Sequence, residues 1–168
     1  MDYLSVEDQK ALSQRYRLAV ILVMAFCISV LICLLVAKLV PPRESVPGSE
    51  TWMQPVYSGA IVLGISVVAL RRIMLSKMFM RQAAVRGVLA VLSRLQAMTI
   101  ICCALAELAA IGGLLLYFLT GDYQYSWRLG IVSLFLLIYS FPRRGEWERT
   151  VAETAKLKNE SPQAAKVS

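Results

Sequence analysis

The chain is 168 residues long, 58% hydrophobic, and carries a formal net charge of +7. A soluble domain is usually about 45–50% apolar, so this composition points to an integral membrane protein. The absence of histidine removes His-ligated haem, His-containing zinc sites and every triad with an imidazole base. The positive charge has no independent polar domain on which basic residues alternate with aromatics, so it is not a nucleic-acid footprint.

The apolar residues fall into four blocks, at residues 18–40, 56–75, 95–119 and 126–141. They predict an all-α bundle of four transmembrane helices over 18–141, preceded by a polar segment at 1–17 and followed by a polar tail at 142–168.

In residues 1–17, Leu4, Ala11, Leu12 and Tyr16 share one side of a short helix opposite Glu7, Asp8, Gln9 and Lys10, which reads as a cytoplasmic or interfacial run-in, with a partner-binding helix as the alternative. The first block, Leu18 to Val40, is rich in Val, Ile and Leu, with Ser29, Cys27 and Cys33 as its only slightly polar members. It reads as a membrane anchor and is too long for the apolar core of a secretory signal. Pro41, Pro42, Pro47, Gly48 and Pro55 then stop the helix, and Trp52 and Tyr57 suit the headgroup level.

The second block carries Ser58, Gly59, Gly64 and Ser66. Small residues let another helix come close, which predicts a helix packed inside the bundle. Arg71, Arg72, Lys77, Arg81, Arg86 and Arg94 follow with no acidic residue among them. This is the composition of a segment lying on an anionic membrane surface, or of a docking face for an acidic partner.

The third block ends at Thr120, Gly121 and Asp122, followed by the aromatics Tyr123, Tyr125 and Trp127. So short a turn makes the third and fourth spans antiparallel neighbours. Pro142, Arg143 and Arg144 close the fourth span. The stretch from Gly145 to Asn159 can form two or three helical turns, with Trp147, Val151, Thr154 and Lys158 spaced along one side, and the last eight residues read as disordered.

Lysine and arginine number three before the first span, six around the second loop and six in the tail, against two and one flanking the other loops. The positive-inside rule then places both termini and the second loop in the cytoplasm, with the bundle in the cell membrane. Cys27, Cys33, Cys102 and Cys103 all lie within apolar blocks and form no CxxC pattern. They read as small packing residues, and no metal or cofactor is expected.

One residue stands out against this background. The stretch from Leu95 to Leu119 holds 25 residues and a single formal charge, Glu107, with twelve residues on either side. Its carboxyl therefore lies near the bilayer midplane, where a charge costs about 2.5–3.5 kcal/mol on insertion scales and the group usually faces the bundle. Two chemistries fit: binding of a proton or sodium ion, or a hydrogen bond to a neighbour such as Ser66 or Ser133.

Around Glu107 the residues read ALAELAAIGGLLL. This resembles the ion-binding helix of the rotor-ring c subunit of rotary ATP synthases: Ala104, Leu105 and Ala106 match the lead-in, Glu107 the carboxylate, and Ile111, Gly113 and Leu114 the positions after it. The similarity extends over residues 56–119 as a hairpin, with Ser58, Gly59, Gly64 and Ser66 on the preceding helix and Arg81-Gln82 in the basic loop. Ala83 stands where that family typically has proline. The resemblance implies that Glu107 is an ion site and that copies of the chain assemble.

The expected function is a structural or accessory subunit of a membrane complex. It would pack against other membrane subunits or itself through Ser58, Gly59, Gly64, Ser66, Gly112 and Gly113 around Glu107. The alternative is a transport element with Glu107 as its proton or cation site. An enzyme is not expected, because the spans hold no second carboxylate and no nucleophile–base pair.

Overall fold

The computed structural model describes residues 6–41, 46–74 and 87–164. Their elements are α1 (Val6–Leu39), a 3-10 turn (Ser49–Trp52), α2 (Met53–Met74), α3 (Val88–Thr120), α4 (Tyr123–Ser140) and α5 (Arg144–Ala164). Four helical stretches are long and apolar enough to cross a membrane, the fourth running from Tyr123 into the first turns of α5.

Local chemistry sets the boundaries. α3 ends where Gly121 takes φ 74°, a left-handed conformation that glycine adopts without steric cost, and donates its N–H to the Tyr117 carbonyl at 2.8 Å. The next residue begins α4: the Asp122 side chain accepts the Gln124 N–H at 2.9 Å, an N-cap. α1 contains no glycine or proline between Val6 and Leu39, so polar run-in and apolar block form one helix of 34 residues. At about 1.5 Å per residue it is about 51 Å long, well beyond the hydrocarbon thickness of about 30 Å.

α3 is the centre of the bundle. It packs against α1, α2 and α4, whereas α1 and α2 do not touch one another. It comes close to α4 at Gly113, where a Cβ would lie 2.8 Å from the Leu129 Cβ and 3.2 Å from the Ser126 Cα. Midway along, Val23 and Val30 of α1, Cys103, Ala106 and Ala110 of α3, and Leu137 of α4 form one buried cluster. A second cluster lies at the end where α1 begins and α2 ends, here called the basic end. There Leu12 and Ala19 of α1 and Val91, Leu92 and Leu95 of α3 enclose Trp147 and Val151 of α5.

Three expectations need correction. α2 does not pack inside the bundle: Ser58 and Gly59 are exposed, as are Ile61, Val62 and Ile65. It meets α3 through Ala60 and Val67 instead. The physical reason is that lipid tails solvate an apolar helix as well as protein does, so small residues permit close packing without compelling it. The tail helix, at 21 residues, exceeds the two or three turns expected and reaches Ala164, within the stretch read as disordered. Trp147, Val151 and Thr154 are buried, which holds it against the bundle.

The third correction concerns Arg71. Arg72 is exposed and Arg94 half-buried, and Lys77, Arg81 and Arg86 lie outside the described residues. Arg71 itself does not face outward: its side chain is 10% exposed and pairs with Glu146 of α5 at 3.2 Å. Its guanidinium also lies 4.9 Å from the centroid of the Tyr139 ring. Removing one partner of a buried pair strands the other, at about 3–5 kcal/mol when both are buried. Glu146 is 42% exposed, so a lower figure of about 1–2 kcal/mol is expected here. Glu146→Leu should therefore destabilise more than Arg71→Met, in thermal unfolding in mild detergent, because only the former leaves a buried guanidinium unpaired. Equal stability of the two variants would contradict this.

Candidate functional site at Glu107

Glu107 lies on α3 between the buried positions Cys103 and Ala110 and the exposed positions Ala104 and Ile111. It is therefore half-buried, at the seam between α1 and α3 and beside the outward surface of α3. The Ser29 hydroxyl of α1 donates to Glu107 Oε1 across this seam. Among the described residues the second carboxyl oxygen takes no hydrogen bond.

Ser29 is not among the neighbours expected from sequence. Ser66 donates to the Val62 carbonyl of its own helix at 2.7 Å, and α2 reaches α3 on another side. Ser133 is buried on α4 with its hydroxyl unpartnered. The signal for Ser29 was depth: it is the middle residue of the block from Leu18 to Val40, as Glu107 is of Leu95 to Leu119. Two side chains at the centres of spans that cross side by side lie at one level.

The small residues expected to surround Glu107 separate into different contacts. Gly113 admits α4, and a Cβ at Gly112 would lie 3.3 Å from Val56 Cγ1 of α2. Gly64 faces Leu136 of α4. Ser58 and Gly59 face outward, and none of the four on α2 contacts the Glu107 carboxyl in the same chain. Gly113, matched above to a glycine of the rotor-ring helix, thus serves packing within one chain.

Chemically the site offers one carboxyl and one hydroxyl. Among the described residues no group of three His, Cys, Asp or Glu side chains is arranged to hold a metal ion. The four cysteines are free thiols, Cys102 and Cys103 buried, Cys27 and Cys33 half-buried. A carboxyl with one bonded and one unbonded oxygen can exchange a proton or accept another hydrogen bond.

Comparison with protein-family models, with curated proteins and with solved structures finds no match for this chain.

Proposed function

We propose that this protein is a structural or accessory subunit of a membrane complex, without enzymatic activity. Its basic end and both termini lie in the cytoplasm and its helices in the cell membrane. The observation that carries this reading is the Ser29–Glu107 hydrogen bond. It spends the intramembrane carboxyl on fixing α1 against α3, and no second titratable side chain hydrogen-bonds to it among the described residues. The distribution of lysine and arginine supports the orientation.

The unbonded oxygen of a half-buried carboxyl favours a second reading, a proton- or sodium-binding element of the kind the c-subunit resemblance implies. One experiment separates the two: labelling of Glu107 by a hydrophobic carbodiimide at several pH values, with and without sodium. The structural reading expects labelling, if any, that sodium leaves unchanged. Protection by sodium would instead assign an ion site.

The structural reading also fixes the effects of substitution. Interhelical hydrogen bonds in membranes contribute about 0.6 kcal/mol on average and at most about 1.7. Ser29→Ala should cost that much in a detergent unfolding titration. Glu107→Gln, which keeps a carbonyl acceptor for the Ser29 hydroxyl, should cost less. A Ser29→Ala variant as stable as the parent would show that the bond does not hold the seam.

A further inference from the structure

Among the described residues, α3 is covered by α1, α4 and α2 but not on its remaining side. Gly113 faces α4, and Ala104, nine residues earlier, lies about half a turn round at about 100° per residue. Beside Ala104 the residues Ile100, Leu108, Ile111 and Leu115 are 38%, 49%, 47% and 52% exposed. α1 flanks this strip on one edge and α2 on the other, and the two do not touch.

The edges differ in chemistry. On the α1 edge stands Glu107 with its unbonded oxygen. On α2, Tyr57 packs on Tyr125 of α4 and Gly64 faces Leu136 of α4. Gly59 and Ser66 each follow one of these by two residues, about 200° further round the helix. They therefore lie on the edge of α2 turned away from α4.

We propose that this strip is the face of a symmetric dimer, in which two parallel copies of α3 meet at Ala104 and Glu107 lies against Ser66 of the partner subunit. A two-fold axis along the membrane normal brings the α1 edge of one copy onto the α2 edge of the other, so the contact is made twice and closes. The apolarity of the strip decides nothing, since lipid covers it equally well. Glu107 decides, because lipid tails offer its unbonded oxygen no partner.

The depths agree. Within one chain Gly112 meets Val56, Ala109 clusters with Ala60, and Cys102 with Val67. On that register Glu107 is level with about position 62 of α2, and α3 side chains lean toward its N-terminus, which brings the carboxyl toward the level of Ser66. Two copies in the same membrane orientation share these depths. The Ser66 hydroxyl, which donates to the Val62 carbonyl of its own helix, can turn about its Cα–Cβ bond to donate to the unbonded oxygen instead.

This inference rests on the structural reading of Glu107, and its test is separate. Ala104→Cys and Phe135→Cys, the latter at a residue 76% exposed on α4, are treated in membranes with a short bismaleimide. Ala104→Cys should give a covalent dimer and Phe135→Cys should not, and the native cysteines present in both serve as the common background. The unmodified protein should show a dimer mass in mild detergent, and Ser66→Val should weaken its association about threefold to tenfold. A monomeric parent protein, equal cross-linking at the two positions, or a ladder beyond the dimer would each overturn the proposal. Sodium-protected labelling of a protein that still dimerises would refute the ion-free reading and leave the dimer standing.

Discussion

Gly113→Ala is expected to destabilise the bundle by about 1–3 kcal/mol, the usual cost of forcing extra atoms into a filled contact, and Gly113→Leu to prevent its assembly. A Cβ at this position would lie 2.8 Å from the Leu129 Cβ, 3.2 Å from the Ser126 Cα and 3.3 Å from the Ser126 carbonyl oxygen. Two of those atoms are backbone, so no rotamer change relieves the contact and α4 itself must move. That movement would propagate: the same helix approaches α1 closely at Gly130, where a Cβ would meet Leu34 at 2.6 Å.

The neighbouring glycines supply the comparison. A Cβ at Gly112 meets only the Val56 side chain, at 3.3 Å, and one at Gly59 meets nothing within 4 Å. Gly112→Ala should therefore cost less than Gly113→Ala. Gly59→Ala should be neutral or slightly stabilising for the isolated chain, because alanine is the better helix former. Thermal unfolding in mild detergent ranks the three; a Gly113→Ala variant as stable as Gly59→Ala would contradict the close α3–α4 seam.

This contrast also marks how far the sequence could be read. Helix positions followed from block length and from breakers: Gly121 and Asp122 separate α3 from α4 as their types require. The place of Glu107 in its helix followed from the same counting. Which helix each small residue faces did not, since Gly113 and Gly59 belong to equally small-residue stretches and only the tertiary arrangement distinguishes them. Arg71 shows the same limit. Its type and position read as a surface cation, and the acidic residue that draws it inward, Glu146, lies 75 residues away in a helix the composition hardly announces.

At the basic end, Trp147→Ala is expected to cost about 3–5 kcal/mol, the range for removing a buried large aromatic side chain. Trp147 is 3% exposed. It packs among Leu12, Ala19, Val91, Leu92, Leu95 and Val151, and its ring meets Tyr16 edge-on at 5.9 Å and 80°. In the proposed orientation this cluster lies toward the cytoplasmic ends of the spans. The alternative environment for much of its surface there is water rather than lipid, and the hydrophobic effect applies in full. The loss would also be local, because among the described residues α5 is held to the bundle by Trp147, Val151, Thr154 and the Arg71–Glu146 pair. Trypsin should then cut Trp147→Ala protein faster at Arg143, Arg144 and Arg149 while the apolar helices stay protected. Trp127→Ala, at a residue 49% exposed, should change stability by no more than about 0.5 kcal/mol. Equal protease resistance in the two tryptophan variants would mean that α5 does not depend on this cluster. A uniform loss of protection along the chain would mean that the cluster carries the whole bundle, α1 and α3 included.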